Sequence, residues 1–182
     1  MKYIACFGDS LVQGFPFGNK YSWVQHAGAA SKIGVLNYGL CGDCCDDIFE
    51  RMGYTLLPEY VEHVLFLGGA NDIIQMRPQS VILDDMQKMA DWCAGKGYKL
   101  CLVLPLISGE PQLNIHLTEL KARMLDRFEN DANIYLLNLQ PAIGTDLGVL
   151  RKAYLDGVHP TVATYEAMGK YAAPLLKTWL EK

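Results

Sequence analysis

A chain of 182 residues can bury about 70% of the surface that its unfolded form exposes, so we expect one domain, spanning residues 1–182, with a sizeable core. With 51% hydrophobic residues, 20% charged residues and a formal net charge of -4, the chain is neither disordered nor a basic nucleic-acid binder, which points to a small or uncharged ligand. No apolar run reaches the roughly 20 residues of a membrane span and no signal-peptide pattern opens the chain, so we expect a cytoplasmic protein without a membrane span.

Five short apolar runs, rich in β-branched and aromatic residues, are predicted to be strands. They cover residues 3–7, 35–38, 63–67, 100–104 and 134–137. Segments of helical composition alternate with them at 21–32, 43–52, 80–95, 117–130 and 162–180. Pro174 is expected to kink or split the last helix. Because helices alternate with almost continuously apolar strands, the predicted fold is α/β, with a five-stranded parallel sheet covered by helices on both faces.

Small and polar residues follow the first three predicted strands, at residues 8–10, 39–42 and 68–72. Ligands of open parallel sheets bind at the carboxyl ends of the strands, so these segments are expected to meet at one edge of the sheet. Asp156 and His159 stand three residues apart just before the last helix and are expected to reach the same edge.

A serine hydroxyl becomes a nucleophile when a neighbouring base takes its proton. Three of the residues expected at this edge can form a catalytic group of serine, base and carboxylate. Ser10 is the candidate nucleophile, His159 the candidate base, and Asp156 the carboxylate that fixes the imidazole tautomer. The candidate oxyanion donors are the Ser10 N–H, the Gly42 N–H and the side-chain amide of Asn71. Read alone, Ser10 is better explained as a helix cap after the first strand, and the other blocks favour the nucleophile.

The chain resembles the SGNH hydrolases, also called GDSL esterases and lipases, in four blocks that occur in order. They contain Ser10 in "FGDSLVQG", Gly42 in "NYGLCGD", Asn71 in "GGAND" and His159 in "DGVHP". A lone Gly-Asp-Ser is a weak signal, but four ordered blocks are specific. The resemblance implies a flavodoxin-like three-layer α/β/α sandwich, hydrolysis through an acyl-serine, and no cofactor. It also implies the same roles for Ser10, Asp156 and His159 in catalysis and for Ser10, Gly42 and Asn71 in the oxyanion hole.

The predicted substrates are small-molecule carboxylic esters or thioesters of small to medium acyl groups. Carbohydrate O-acetyl esterase and lysophospholipase are alternatives within the same family. A binding module without catalysis is a further alternative, although every catalytic position is filled. The sequence leaves the oligomeric state open.

Cys41-Gly-Asp-Cys44 forms a C-x-x-C pattern at a predicted helix start, which supports a rival function as a thiol–disulfide oxidoreductase. That function leaves the Gly-Asp-Ser and Asp-x-x-His blocks unexplained. A disulfide between the two cysteines would displace the Gly42 amide and lower hydrolysis; activity unchanged by mild peroxide would contradict this hypothesis. No zinc site is expected, since no second pair of ligands completes a set of four.

The remaining polar and aromatic residues are interpreted mainly as structural. Asp9 is expected to brace its loop, Asp43 to cap the following helix, and Asp72 to serve as a hydrogen-bond partner. Structural roles are also expected for the other histidines, His26, His63 and His116. Three aromatic residues after the nucleophile either line the substrate pocket or pack a loop onto the core: Phe15, Phe17 and Trp23.

Overall fold

The computed structural model describes residues 1–181 and contains one five-stranded sheet. The strands are β1 (Tyr3–Gly8), β2 (Gly34–Gly39), β3 (His63–Leu67), β4 (Lys99–Val103) and β5 (Ile134–Leu137). They are all parallel, in the order β2-β1-β3-β4-β5, which is the flavodoxin-like doubly wound order. β3 is buried along its whole length, whereas the edge strand β2 is half-buried throughout. The predicted five strands and parallel sheet are confirmed.

Eight α-helices connect and cover the strands within residues 1–181. They are α1 (Ser10–Gln13), α2 (Trp23–Ser31), α3 (Cys45–Tyr54), α4 (Ala70–Ile74), α5 (Gln79–Lys96), α6 (Pro111–Phe128), α7 (Leu147–Ala153) and α8 (Val162–Glu181). None of the helices in this described part of the chain has the length and hydropathy needed to cross a membrane.

One detail of the predicted helices is wrong. α6 begins at Pro111 rather than at residue 117, because proline fits the first turn of a helix, where no backbone N–H is needed. Of the two effects expected of Pro174, the split does not occur, because α8 continues to Glu181. Pro174 lies on the exposed face of α8, where water can replace the missing backbone hydrogen bond.

Two hydrophobic clusters lie on opposite faces of the sheet, as the alternation of side chains along a strand requires. On β1, Ile4 and Cys6 belong to the cluster beneath α2 and α8, whereas Ala5 and Phe7 belong to the cluster beneath α3, α5 and α6. The predicted three-layer α/β/α sandwich is therefore confirmed.

The register of the central strands places three loops at one level. Gly8, the last residue of β1, pairs with Gly39 of β2 on one side and with Leu67 of β3 on the other. The Gly8 carbonyl also accepts a hydrogen bond of 2.9 Å from the N–H of Leu40, which holds the loop after β2 against the end of β1. The loops that carry Ser10, Gly42 and Asn71 thus begin side by side on the carboxyl edge of the sheet.

Candidate active site

Ser10 is the first residue of α1 and is 4% exposed. Asp9 occupies the N-cap, and its carboxylate accepts the N–H of Leu11 at 2.9 Å. Because Asp9 caps the helix, the Ser10 hydroxyl is free for another partner. The N–H of Ser10 lies in the first turn, where backbone donors have no acceptor within the helix.

His159 and Asp156 lie in a tight loop that closes where Tyr154 and Pro160 pair across an antiparallel bridge. One oxygen of Asp156, Oδ1, accepts the backbone N–H of Val158 at 3.0 Å and that of His159 at 2.8 Å. The other oxygen, Oδ2, lies 2.7 Å from Nδ1 of the His159 ring. The spacing of three residues therefore lets the carboxylate hold both the backbone and the ring of the histidine.

The second ring nitrogen of His159 completes a hydrogen-bonded chain to Ser10. The His159 Nε2 to Ser10 Oγ distance is 3.1 Å, although the two residues are 149 positions apart in sequence. Since Nδ1 donates its proton to Asp156, Nε2 is left to accept the proton of the serine hydroxyl. This arrangement can activate Ser10 as a nucleophile.

The charge of Asp156 is maintained by its hydrogen bonds. Partial burial would raise the pKa of Asp156, but the bonds from the His159 ring and from the two backbone N–H groups outweigh it and lower the pKa to about 2. The carboxylate is therefore ionised over the whole neutral range and can stabilise an imidazolium on His159.

The two remaining candidate oxyanion donors are joined by a hydrogen bond between their loops. Gly42 adopts φ +91°, a conformation that glycine tolerates best, and a Cβ there would contact nothing within 4 Å, so that side of the turn is open. Nδ2 of Asn71, in the first turn of α4, donates to the carbonyl of Asp43 at 2.9 Å. An amide nitrogen carries two hydrogens, which leaves the second one of Asn71 available to a ligand.

The prediction that Asp43 caps α3 is wrong. Cys44 is the N-cap of α3, and its N–H donates to the carboxylate of Asp47 at 2.9 Å, as in a capping box. The Asp43 carboxylate instead accepts the Nε–H of Arg51 at 2.6 Å. Nothing in the sequence pattern singled out Arg51, because an arginine on the polar side of an amphipathic helix is ordinary.

Asp72 is a fully buried hydrogen-bond partner, as predicted. Its carboxylate accepts the N–H of Cys45 at 3.0 Å and pairs with Arg77, which also binds Asp85 at 2.9 Å. Ligand atoms of Cys44, Asp46 and Asp72 lie within 4.8 Å of one another. Arg77 bonds to both carboxylates of that group, so its guanidinium already supplies the positive charge that a metal ion would bring.

The cysteines of the C-x-x-C pattern do not have the character of redox-active thiols. Cys41 is exposed and Cys44 is buried, and both thiols are free. Burial raises the pKa of Cys41, and it raises that of Cys44 to about 11, with Asp72 adding to the effect. An attacking thiol needs a lowered pKa, so the local environment opposes oxidoreductase chemistry.

The aromatic residues after the nucleophile divide between the core and the site. Trp23 is fully buried, whereas Phe15 is 38% exposed and its ring centroid lies 4.7 Å from that of His159. The hydroxyl of Tyr165 donates to the Phe15 carbonyl at 2.9 Å and holds that segment in place. Phe15 therefore borders the candidate site.

The three other histidines lie outside the hydrogen-bonded chain. His63 is 1% exposed at the start of β3, and its ring packs edge-on against Trp179 with a centroid distance of 4.9 Å. His116 is exposed on α6, and His26 is half-buried on α2.

Asp9 is the buried carboxyl group nearest in sequence to the nucleophile, and it gives the stability of the protein a pH dependence. Burial raises the pKa of Asp9 to about 7, with nearby Asp72 and Asp43 adding to the effect and the Leu11 N–H opposing it. Since the pKa of an unfolded aspartate is about 4, protonation of Asp9 stabilises the fold at low pH. This contribution is fully present below about pH 4 and is lost as the pH rises through about 7.

We expect the stability difference between Asp9→Asn and the wild type to change with pH. Asparagine keeps an acceptor for the Leu11 N–H but cannot ionise. As the pH rises from about 4 to about 7, the free energy of unfolding of the variant should therefore increase relative to that of the wild type by up to about 1.4 kcal/mol per pH unit. Urea denaturation at about pH 5 and about pH 8 measures this difference. An equal difference at both values would contradict the raised pKa.

Solved structures of other proteins share the fold of this chain. A G-D-S-L family lipolytic protein from Desulfitobacterium hafniense DCB-2 superimposes with a TM-score of 0.85 at 22% identity, covering 96% of this chain and 99% of that chain. The psychrotrophic esterase EstA from Pseudoalteromonas sp. gives 0.77 at 18% identity, and a carbohydrate acetylesterase family member from Sinorhizobium meliloti gives 0.75 at 16%, each covering 100% of both chains. At these identities the likeness shows a shared fold.

No curated protein matches the sequence. The profile of the GDSL-like Lipase/Acylhydrolase family, however, matches residues 6–167. That range includes all four blocks, from Ser10 to His159. The chain therefore belongs to the GDSL-like lipase/acylhydrolase family and is an ester hydrolase.

Proposed function

We propose that this protein is a serine esterase that hydrolyses carboxylic esters or thioesters of small acyl groups through an acyl-serine intermediate. The observation that carries the proposal is the hydrogen-bonded chain from Asp156 Oδ2 through the His159 ring to Ser10 Oγ, with distances of 2.7 Å and 3.1 Å. Such a chain has the order of groups that nucleophilic catalysis by serine needs.

In the proposed mechanism, Ser10 Oγ attacks the carbonyl carbon of the ester while His159 Nε2 takes the hydroxyl proton. The negative oxygen of the tetrahedral intermediate is stabilised by the Ser10 N–H, the Gly42 N–H and the Asn71 amide. His159 then gives its proton to the departing alcohol or thiol, and the acyl group stays on Ser10. A water molecule, deprotonated by His159, attacks the acyl-serine, releases the acid and restores the hydroxyl.

A small apolar cavity, lined in part by the segments that carry Ser10 and Asn71, supports a short acyl group. Its volume is about 20 Å³, and its lining residues are Leu11, Leu67, Gly68, Ala70, Pro105, Leu106 and Leu117. Leu11 follows Ser10 in sequence and Ala70 precedes Asn71, so the segments that carry the nucleophile and one candidate oxyanion donor both contribute to the wall of the cavity. One water molecule needs roughly 10–15 Å³ measured in this way, so the cavity has room for a methyl group or little more.

The cavity favours acetyl esters over the long-chain substrates of a lysophospholipase, whose acyl chain would have to lie outside it. Acetylated small molecules, including acetylated sugars, are therefore the substrate class that we place first. The Sinorhizobium meliloti neighbour is named as a carbohydrate acetylesterase family member, which agrees with this choice.

The test is hydrolysis of a p-nitrophenyl ester series from acetate to decanoate, together with the matching acyl thioesters, by the wild type and by Ser10→Ala. We expect kcat/KM to be highest for acetate and to fall steeply as the acyl chain lengthens. Turnover that does not depend on Ser10, or no turnover of any ester or thioester in the series, would contradict the proposed function.

Enlarging the cavity should move the acyl preference towards longer chains. In Leu106→Ala, the ratio of kcat/KM for butyrate to that for acetate is expected to rise by about tenfold, since one or two methylene groups in an apolar pocket are worth about that much. The matched control is Leu83→Ala on α5. Leu83 is 7% exposed and Leu106 is 8% exposed, but Leu83 does not line the cavity. An equal change of the ratio in both variants would show that the cavity does not hold the acyl group.

A further inference from the structure

Arg51, on α3, reaches three segments of chain with its three guanidinium nitrogens. Nε donates to the Asp43 carboxylate at 2.6 Å, Nη1 to the Tyr38 carbonyl at 2.8 Å and Nη2 to the Gly8 carbonyl at 3.1 Å. Its side chain is 28% exposed and that of Asp43 is 13% exposed, so the ion pair is partly shielded from water. The mechanism described above does not use Arg51.

The acceptors of Arg51 are the places where the loops of the candidate site begin. Gly8 ends β1, two residues before Ser10, and Tyr38 lies one residue before the end of β2. Asp43 directly follows Gly42, and its own carbonyl accepts the side-chain amide of Asn71 at 2.9 Å. Through Gly8 and Asp43, the Arg51 guanidinium is therefore connected to all three loops that carry a candidate oxyanion donor.

We propose that Arg51 is a positioning residue that sets the Gly42 N–H and the Asn71 amide at their working distance from the carbonyl oxygen under attack by Ser10. This inference rests on the proposed serine esterase function. Oxyanion donors act only within a narrow range of distance, about 2.7–3.1 Å, so a small shift of the β2–α3 turn relative to β1 lowers the rate without changing the triad.

Lysine cannot replace arginine in this role. Its single ammonium nitrogen is a point charge, whereas the planar guanidinium presents donors in a fixed fork that can bond several acceptors at once. Arg51→Lys keeps the positive charge beside Asp43 but cannot hold the Gly8 and Tyr38 carbonyls together. It therefore separates the charge of Arg51 from its geometry.

The experiment measures kcat and KM for p-nitrophenyl acetate in the wild type, Arg51→Lys, Asn71→Ala and the double variant. We expect Arg51→Lys to lower kcat by about tenfold to a hundredfold with KM nearly unchanged, as misplacement of catalytic groups does. In the Asn71→Ala background, Arg51→Lys should lower kcat by only about threefold or less, because the effects of substituting groups that act as one unit do not add. The control is Arg127→Lys, which alters another ion pair, with Asp84, and should leave kcat unchanged.

Several results would overturn the inference. The first is an unchanged kcat in Arg51→Lys. The second is a fold-decrease of kcat on Arg51→Lys that is equal in the wild type and in Asn71→Ala, and the third is a comparable decrease of kcat in Arg127→Lys. If Arg51→Lys does not fold, Asp43→Asn decides, since it keeps the carbonyl that binds Asn71 but weakens the anchor of Arg51; an unchanged kcat there rejects the role. If the wild type shows no hydrolysis that depends on Ser10, the proposed function itself is rejected.

Discussion

Ser10→Ala is expected to lower kcat for p-nitrophenyl acetate by about 10⁴-fold or more while the protein stays folded. The hydroxyl is the atom that forms the bond to the acyl group in the proposed mechanism, and alanine leaves His159 with no proton to accept from the enzyme. Residual hydrolysis would come from water attacking a carbonyl held near the oxyanion donors. Steady-state kinetics, with thermal unfolding of both proteins, measures the effect.

Two further measurements make the Ser10 result specific. A reactive phosphonate ester should add to the wild type with a stoichiometry of one and leave Ser10→Ala unmodified, as mass spectrometry of the intact chain would show. Ser31→Ala serves as the matched control, since the Ser31 hydroxyl bonds to the Ala27 carbonyl within α2. Labelling of Ser10→Ala equal to that of the wild type would place the nucleophile elsewhere.

The second large effect is expected in Asn71→Ala, where kcat should fall by about a hundredfold to a thousandfold, the usual result of losing one oxyanion donor. The variant also leaves the Asp43 carbonyl without its partner, which costs about 1 kcal/mol of stability and should not prevent folding. Kinetics with p-nitrophenyl acetate, combined with urea denaturation, separates the two effects.

Asn71→Asp tests the chemical nature of the Asn71 contribution. Aspartate has nearly the same shape but offers a negative acceptor in place of the amide donor, so it should repel the developing oxyanion and be at least as damaging as alanine. A loss of less than about fivefold in Asn71→Ala would remove Asn71 from the oxyanion hole.

The sheet was predictable because its strands are short apolar runs whose composition differs sharply from that of their surroundings. The helices were less so. α1, α4 and α7 have four, five and seven residues, too few for an apolar periodicity to show. The start of α6 was missed because Pro111 resembles a loop residue in sequence, although proline is common in the first turn of a helix.

The candidate catalytic residues were predictable because each belongs to a residue type with its own chemistry and stands just after a strand or just before the last helix. Asp43 shows the limit of such reasoning. Both Asp43 and Cys44 precede α3, and only the packed structure decides that Cys44 takes the N-cap while Asp43 turns to Arg51.

The sequence by itself determined the α/β class, the five strands and the identity of the nucleophile, base and carboxylate candidates, since these depend on local composition and on side-chain chemistry. Only the tertiary structure decided that His159 Nε2 lies 3.1 Å from Ser10 Oγ, that the apolar cavity lined by Leu11 and Leu106 is small, and that Arg51 joins the site loops. Those features depend on contacts between residues far apart in the chain, which are set by how the helices pack on the sheet and not by any local pattern.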